Sequence, residues 1–399
     1  MAYYNETYSR RDFIQAGSWT LAGLALGLPA FAGAGQNGIT RLGIIGMGNR
    51  GGGIANILRT LPGMELVACC DIMETQLGVS AAAPEAVRRY TDYRQLLDDR
   101  AVDGVVIALP EYLHFQSATA ALQAGKHVYL EKTMTHTPDE ADQLVAVAAN
   151  HPKQVLQIGH QYRYFMLYHK VNEAIRQGWI GNVLQYECQY HRNSDWRRPV
   201  PDAALERQVN WRMYKAYSGG LMTELCAHQV DILNWFAGGH PLQVTAVGGI
   251  DYWKDGRETY DNIRAIYTYP GGVRANVSSI LTNAYNGYSI RVLGTAGTIE
   301  IQRTGALVYP ENHKKELTTV DGVTGATSES WGQGKPVPLA FENQDAENRD
   351  PTAYALLDFV DCIRTGKKPF SNVETGRDSA KAVMLANCSA ETGKIQQWQ

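Results

Sequence analysis

The sequence predicts an α/β protein with two domains, an N-terminal doubly wound parallel sheet and a C-terminal α+β domain with a large, mostly antiparallel sheet. Short apolar runs alternate with helical stretches from residue 40 to residue 158, a pattern typical of a parallel sheet covered by helices. After residue 181 the pattern changes to successive strands separated by turn signals, which is typical of antiparallel sheets. The length of 399 residues also exceeds the usual size of one domain.

The first domain is expected over residues 38–160. Its predicted strands are the apolar runs at 41–45, 64–70, 104–109, 127–130 and 155–158. Helices are expected at 49–60 and 113–124. A further helix begins at Thr137, where a capping hydroxyl precedes a proline and two acids.

The second domain is expected over residues 161–350. Its predicted strands lie at 183–190, 244–252, 262–269, 273–281, 288–293 and 298–301. A helix at 221–236 interrupts them, and the polar stretch 302–350 is predicted to be an irregular surface excursion. The last segment, 351–399, is expected to form two helices, at 354–364 and 375–392, that pack back on the core.

The first 34 residues are predicted to be an export signal. Arg10 and Arg11 precede a weakly apolar stretch at 16–28, and small residues at Ala30 and Ala32 offer a cleavage site. This pattern resembles a twin-arginine signal, whereas the alternative, a membrane anchor, requires a longer and less polar stretch. No later segment has the length of a spanning helix, so the mature protein is expected to be soluble and periplasmic or otherwise exported.

Composition excludes several classes of partner. The net charge of −3, without a long basic run, argues against nucleic acid. The six cysteines form no C-x-x-C pair and no cluster with histidine, so neither a metal site nor a disulfide framework is predicted. The 22 tyrosines and 8 tryptophans fit a carbohydrate ligand but also fit ordinary core packing.

A glycine turn, GMGNRG at 46–51, follows the first predicted strand and opens the first helix. Gly46 permits the tight turn, Gly48 lets the backbone approach a pyrophosphate, and Gly51 allows close packing of helix on strand. The helix that begins beside Asn49 and Arg50 favours negative charge at its N-terminus. The turn therefore predicts a dinucleotide site.

Asp71 ends the second predicted strand, 20 residues beyond Gly51. A carboxylate there accepts hydrogen bonds from both ribose hydroxyls and repels a 2′-phosphate. The predicted cofactor is NAD, whereas Arg50 leaves NADP open.

Candidate proton-transfer residues lie in two places. Lys132 follows the strand at 127–130, at the carboxyl edge of the sheet where ligands bind in such folds. Glu224 and His228 are four residues apart in the 221–236 helix, with Asp231 three residues further on. They form either a pair on a solvated helix or, as the apolar neighbours favour, a buried polar pair of the kind found at functional sites.

Further segments accompany these motifs: LPEYLH at 109–114, AGKHVYLEK at 124–132, GHQYR at 159–163, GWIG at 178–181 and IRTGKKP at 363–369. With them the chain resembles the family of glucose–fructose oxidoreductase, inositol dehydrogenase and rhizopine-catabolism proteins (Gfo/Idh/MocA). The resemblance covers nearly all of the mature sequence and implies a Rossmann domain with a nicotinamide cofactor.

The resemblance also implies residue roles. Lys132 and His228 transfer protons, and the nucleotide is lined by Leu109, Pro110, His114, Glu131, Lys132 and Gln161. The chain departs from the family in two places: Thr133 stands where the family usually has proline, and Glu224 stands where it usually has aspartate. The longer carboxylate reaches the same region with a different geometry.

Substrate residues are expected mainly in the second domain. The candidates are Arg163, Tyr164, Trp196, Arg197, Trp211, Arg212, His228 and Asp231. The Trp–Arg clusters suit a pyranose ring, with the aromatic face on C–H groups and arginine on hydroxyls. The alternative is that they serve packing or a subunit interface.

The predicted function is that of an exported, NAD(P)-dependent oxidoreductase acting on a ring hydroxyl of a sugar, glycoside or cyclitol. Lys132, His228 and Glu224 carry the acid–base chemistry, and the nucleotide is expected to be tightly bound and loaded before export. One alternative is a redox-assisted glycosidase, similar to α-N-acetylgalactosaminidases, without net NAD turnover. Another is a non-catalytic sugar-binding protein. A homodimer or tetramer is expected.

Overall fold

The protein is represented by a computed structural model that describes residues 38–79, 86–311, 319–320, 323–324, 335–340 and 349–398. The export signal predicted at 1–34 lies outside these residues. None of the helices described there is long and apolar enough to cross a membrane. Within the same ranges, no group of three His, Cys, Asp or Glu side chains could hold a metal ion.

The N-terminal sheet has six parallel strands in the order β3-β2-β1-β4-β5-β6. The strands are β1 (Thr40–Ile45), β2 (Met64–Cys70), β3 (Arg88–Tyr90), β4 (Gly104–Ile107), β5 (His127–Leu130) and β6 (Leu156–Ile158). The predicted doubly wound sheet is confirmed. The sequence analysis misses β3 because this strand is three residues long and begins with two exposed arginines rather than an apolar run.

The helices of this half are α1 (Asn49–Leu58), α2 (Glu74–Val79), α3 (Tyr93–Asp98), α4 (His114–Gln123) and α5 (Pro138–Asn150). The predicted helix start at Thr137 is confirmed: its side chain accepts from the Glu140 amide, and the Glu140 carboxylate accepts from the Thr137 amide. α2 and α3 were not predicted, since six residues are too few for a helical period to stand out.

The second sheet has nine strands in the order β16-β13-β12-β11-β7-β10-β9-β8-β17. They are β7 (Val183–Tyr190), β8 (Gln243–Gly249), β9 (Asn262–Thr268), β10 (Arg274–Ile280), β11 (Tyr288–Gly294), β12 (Gly297–Ile301), β13 (Ala306–Pro310), β16 (Val337–Pro338) and β17 (Gln396–Gln397). β14 (Thr319–Val320) and β15 (Val323–Thr324) form a separate hairpin. In the large sheet β7 pairs in parallel with β10, and the other described pairs are antiparallel, which confirms the prediction.

The prediction of an irregular stretch at 302–350 is wrong at β13. This strand pairs along its whole length with β12 and buries Ala306 and Val308 against the core. Two buried residues in a polar stretch are too weak a pattern to identify a strand from sequence, and the neighbouring strand supplies the missing stabilisation.

The remaining helices are α6 (Met166–Arg176), α7 (Glu206–Val209), α8 (Ala227–Ala237), α9 (Pro351–Thr365) and α10 (Val373–Thr392). α9 buries Phe359 in the apolar cluster that contains Ile44 of β1, on the same face as α1. α10 buries Met384 in the cluster that contains Ile45, on the opposite face. The two C-terminal helices therefore pack on opposite faces of the parallel sheet.

Candidate active site

The site is built where the carboxyl ends of the parallel strands meet at one edge of the sheet. The predicted nucleotide residues lie in the turns that follow those ends or at the start of the next helix. They are Gly46, Gly48, Asn49, Arg50 and Gly51 after β1, Asp71 after β2, Leu109, Pro110 and His114 after β4, Glu131 and Lys132 after β5, and Gln161 after β6. The topology thus brings residues from five strands to one edge.

The glycine turn leaves room for a phosphate. A side chain at Gly51 would place its Cβ 1.8 Å from the carbonyl oxygen of Gly46, whereas a Cβ at Gly48 would meet no atom within 4 Å. Gly46 itself has a φ of +91°, in the left-handed region that favours glycine. Gly48 caps α1 without a side-chain hydrogen bond, and the first turn carries no acidic residue. The uncapped N-terminus of α1 therefore fits a pyrophosphate.

Asp71 is held rigidly beside this turn. Its Oδ2 accepts a hydrogen bond from the Met47 amide at 2.8 Å, and its Oδ1 accepts one from the Met73 amide at 2.9 Å. Burial raises the pKa of this carboxyl, and the two amides oppose the rise. Each carboxylate oxygen keeps a second acceptor position, which fits a pair of ribose hydroxyls.

Arg50 turns away from Asp71 and binds Glu131. Its Nε donates to Oε1 of Glu131 at 2.8 Å, and its Nη1 donates to Oγ1 of Thr352 at 3.3 Å. Burial alone would lower the pKa of this guanidinium, but the Glu131 carboxylate outweighs burial and raises it. Arg50 is therefore engaged by the buried Glu131 rather than placed to receive a 2′-phosphate.

Lys132 is fixed by main-chain oxygens. Its Nζ donates to the carbonyl oxygens of Glu224 at 2.9 Å and Thr223 at 3.3 Å, and Oγ1 of Thr133 donates to the same Thr223 oxygen at 2.8 Å. The peptide bond between Lys132 and Thr133 is cis. An ammonium has three donors, so one donor of Lys132 is left for a ligand.

These oxygens are accessible because the predicted helix at 221–236 does not begin as an α-helix. Met222–Cys226 form a π-helical turn, and α8 follows from Ala227. Such turns are frequent at functional sites because they displace carbonyls from the regular ladder. Glu224 therefore lies in the π-helical turn, whereas His228 and Asp231, three residues apart, both lie in α8.

Glu224 lies between two cations. Its Oε2 accepts from Nε of Arg212 at 2.5 Å, and its Oε1 is 4.0 Å from Nζ of Lys132. Burial would raise the pKa of Glu224, but Arg212 and then Lys132 outweigh burial, so the carboxylate is ionised. The guanidinium of Arg212 also lies 4.1 Å from the ring centroid of Trp211. The structure thus brings the predicted Trp211 and Arg212 together with Lys132 and Glu224.

His228 presents a neutral imidazole to this group. Burial, followed by the charge of Lys132, holds its pKa well below the ordinary value of 6.5. Its Nδ1 is buried and has no hydrogen-bond partner in the described part of the chain. The rings of Tyr162 and Tyr190 lie 5.0 and 6.3 Å from the imidazole. A neutral imidazole next to a lysine can accept a proton from a hydroxyl.

His160 is a site residue that the sequence analysis did not select. Both of its ring nitrogens are buried without hydrogen-bond partners among the described residues, and the Oε1 atom of Gln161 is in the same state. Nδ1 of His160 lies 3.8 Å from the Asp231 carboxylate. Buried polar atoms are normally paired, so Nε2 of His160 and Oε1 of Gln161 fit polar groups of a bound nicotinamide nucleotide or its substrate. The sequence signal for His160 is the GHQYR segment at 159–163, in which Gln161 and Arg163 are the predicted site residues.

The substrate prediction for Arg163, Tyr164 and Asp231 is not supported by their positions. Nε of Arg163 donates to both oxygens of Asp231, at 3.0 and 2.8 Å, and both side chains are buried. Oγ of Ser379 donates to the same carboxylate at 2.8 Å. The Tyr164 hydroxyl accepts from the Ser371 amide, and its ring packs in the core cluster with α9. These side chains connect core elements.

The Trp196–Arg197 cluster lies in a separate polar network. Arg197 pairs with Glu206 at 2.6 Å and with Asp255 at 3.4 Å. Among the residues that the structure describes, no hydrogen bond or ring contact joins either member of the cluster to Lys132 or His228. These contacts tie Arg197 to neighbouring acidic side chains of the same domain, and its assignment to substrate stays a prediction.

Two models of one protein family match the two halves of the chain. Residues 40–160 match the family described as "Oxidoreductase family, NAD-binding Rossmann fold", and residues 168–300 match the "GFO/IDH/MocA C-terminal domain". Inositol 2-dehydrogenase 2 of Saccharopolyspora erythraea is 27% identical over 272 residues, which cover 67% of this chain and 74% of that protein. Inositol 2-dehydrogenase of Salmonella typhimurium is 29% identical over 198 residues, 49% of this chain and 54% of that protein.

The fold is also found in solved structures. That of myo-inositol 2-dehydrogenase from Lactobacillus plantarum superposes with a TM-score of 0.70 at 22% identity, covering 90% of this chain and 100% of the other.

Proposed function

Because the chain belongs to the Gfo/Idh/MocA family of NAD-binding oxidoreductases, we propose that it transfers hydride between NAD and a ring hydroxyl carbon of a cyclitol or sugar. The observation that carries this proposal is the neutral imidazole of His228 beside the half-buried Lys132–Glu224–Arg212 group. The names of the inositol dehydrogenase relatives support a polyhydroxylated ring as substrate.

When bound, the nicotinamide ring supplies the hydride donor or acceptor. His228 accepts the proton of the reacting hydroxyl, because its lowered pKa keeps the imidazole neutral near pH 7. Lys132 directs its third donor at the same hydroxyl oxygen and stabilises the negative charge that develops there. Glu224 stays ionised, holds Arg212 by its carboxylate, and holds Lys132 by its carbonyl oxygen.

The choice of NAD over NADP rests on Asp71 and Arg50. The Asp71 carboxylate stands beside the glycine turn, where a 2′-phosphate would meet its charge. Arg50 is engaged by Glu131, so it does not offset that charge. Steady-state kinetics with NAD and NADP test this choice, and equal kcat/KM for the two nucleotides would contradict it.

The function is tested by incubating the purified protein and NAD with a panel of inositols, aldoses and methyl or nitrophenyl glycosides. We expect reduced nicotinamide to appear with at least one cyclitol or sugar. Release of nitrophenol without reduced nicotinamide would instead support the redox-assisted glycosidase. If neither product forms with any compound, and no reduced nicotinamide is consumed with the corresponding ketones, the proposed oxidoreductase is wrong.

Tight binding of the nucleotide before export is tested separately. Protein purified without added nucleotide is denatured, and the supernatant is assayed for NAD. We expect about one NAD per chain, and its absence would contradict tight binding without affecting the proposed reaction.

A further inference from the structure

Two tyrosine rings lie beside His228 and a third packs against both; these three rings are called the tyrosine wall. The Tyr162 and Tyr190 rings lie 5.0 and 6.3 Å from the imidazole, and the Tyr288 ring lies 5.7 Å from Tyr162 and 5.2 Å from Tyr190. Tyr190 ends β7 and pairs with Tyr288 of β11 in the large sheet. Two of the three rings, Tyr190 and Tyr288, are therefore fixed in the large sheet, and Tyr162 lies in the 3-10 turn Gln161–Tyr164 after β6.

Two arginines converge on the outer end of this wall. Nη2 of Arg192 donates to the Tyr190 hydroxyl oxygen at 3.0 Å, and Nη2 of Arg303 reaches the same oxygen at 3.5 Å. Their guanidinium carbons lie 5.1 and 5.5 Å from the centroid of the Tyr190 ring. The Tyr190 hydroxyl oxygen thus contacts two cations that come from different strand ends.

Neither cation has an acidic partner in the part of the chain that the structure describes. Among the described residues, no carboxylate forms an ion pair with Arg192 or Arg303, whereas Arg212 of the same cleft is paired with Glu224. The charge of Asp350, just before α9, acts on Tyr162; Oδ1 of this carboxylate accepts from the Thr352 amide, and no ion pair joins it to either arginine among the described residues. Both arginines are exposed, so water screens their mutual repulsion, and an anion bound between them would interact with both charges.

The unpaired charges are close to the reacting group. Tyr190 contacts Arg192 through its hydroxyl and faces His228 with its ring. The charge of Arg192 also contributes to the lowered pKa of His228, as expected for a cation near the imidazole. A single ligand ring lying on the tyrosine wall can therefore reach both His228 and the two guanidiniums.

We propose that the substrate ring carries an anionic substituent, a carboxylate as in a hexuronate, and that Arg192 and Arg303 bind it. This inference rests on the proposed function because it specifies a group on the substrate of that reaction. Guanidinium groups match a planar carboxylate with paired N–H donors. A sulfate or phosphate ester offers the same charge, so the test includes both.

The test compares pairs of methyl glycosides that differ only at C6, where one carries a carboxylate and the other, its neutral twin, carries a hydroxymethyl group. Dissociation constants of methyl glucuronide, galacturonide and mannuronide, and of the matching methyl glucoside, galactoside and mannoside, are measured by calorimetry on the enzyme saturated with NAD. The 6-sulfate and 6-phosphate of the glucoside form two further arms. We expect at least one uronide to bind about tenfold or more tightly than its neutral twin.

Variants assign the preference to the two arginines. The double substitution Arg192→Gln/Arg303→Gln should abolish the preference for the acid while changing affinity for the neutral twin less than about twofold. Arg192→Lys/Arg303→Lys should retain part of the preference because the charge remains. Arg176→Gln, an exposed arginine in the last turn of α6, is the matched control and should retain all of it.

The inference is overturned if no uronide binds more tightly than its neutral twin, or if the preference survives the double glutamine variant. A preference for the sulfate or phosphate arm over every uronide would overturn the assignment to a carboxylate. Reduced nicotinamide is followed in the same mixtures. If uronides bind more tightly through the two arginines but no reduced nicotinamide forms, the proposed reaction is wrong and the anion site stands. If neutral glycosides are oxidised and no uronide binds more tightly, the anion site is wrong and the proposed reaction stands.

Discussion

The ammonium group of Lys132 is bound by the main-chain carbonyl oxygen of Glu224 at 2.9 Å, while the carboxylate of the same residue lies 4.0 Å away. The carboxylate binds Arg212 instead. Since the Thr223 carbonyl takes a second donor, the third donor of Lys132 is directed by backbone atoms, which move less than a side-chain partner would. The π-helical turn therefore orients the lysine for the proposed reaction.

Replacement of Lys132 by methionine should lower kcat/KM by about 10²- to 10⁴-fold, the usual contribution of a positioned acid or base. Binding of NAD, measured by fluorescence or calorimetry, should change much less than the rate. The matched control is Lys170→Met, which removes an exposed lysine paired with Glu173. Turnover by Lys132→Met within a factor of two of the unmodified protein would disprove the proposed role.

The pH profile of oxidation should reflect the lowered pKa of His228. An imidazole that acts as a base is active when neutral, so activity is lost only as pH falls through the folded pKa, which lies well below 6.5. We expect kcat/KM to stay level from pH 7 down to at least pH 6.5. The prediction is wrong if kcat/KM falls with a midpoint above pH 6.5 and this fall is absent in His228→Asn, because the imidazole would then be protonated at a higher pH than its burial allows.

Nucleotide preference should depend on Asp71. Asp71→Asn removes the charge and one acceptor position, so we expect KM for NAD to rise about tenfold or more, as for loss of a charged hydrogen bond. KM for NADP should rise less or fall, because the repulsion of a 2′-phosphate is removed. Asp98→Asn, at the exposed end of α3, is the control. A variant that keeps the original preference for NAD would contradict the ribose assignment.

A buried ion pair should make stability depend on pH. Nδ1 of His136 lies 3.1 Å from Oε1 of Glu111, and the same carboxylate oxygen accepts from the Gly219 amide just before the π-helical turn. Burial would lower the pKa of His136, but the Glu111 carboxylate outweighs burial and raises it. The stabilisation is therefore fully present below pH 6.5 and is lost as pH rises through the raised pKa.

His136→Gln should accordingly lower the free energy of unfolding by about 1 to 3 kcal/mol at pH 6 and by less at pH 9. Urea denaturation at the two pH values measures this difference. The control is His151→Gln, since Nδ1 of His151 bonds the Val147 carbonyl oxygen and no carboxylate. An equal loss at both pH values would mean that the charge on His136 does not contribute.

Features encoded by neighbouring residues were predictable. The spacing of Gly46, Gly48 and Gly51, the position of Asp71 at a strand end, and the cap at Thr137 depend on local backbone requirements, so they are visible along the chain. The nine-stranded sheet was predicted in outline, but β13 was missed because its pairing with β12 stabilises a strand whose own pattern is weak.

The partners of polar side chains were not predictable in the same way. Arg163 and Arg212 both sit in polar, aromatic segments and were both assigned to substrate, yet Arg163 pairs with the buried Asp231 and Arg212 pairs with the site residue Glu224. Arg192 and Arg303 were overlooked because each follows a different strand, and only the sheet register places both at the Tyr190 hydroxyl.

The sequence by itself determined the fold class, the dinucleotide turn and the lysine at the end of β5, because each depends on periodicity or on residues adjacent in the chain. The tertiary structure decided which charges are neutralised and which remain available to a ligand. That outcome depends on distances between residues far apart in sequence and on burial, which sets the cost of leaving a charge unpaired.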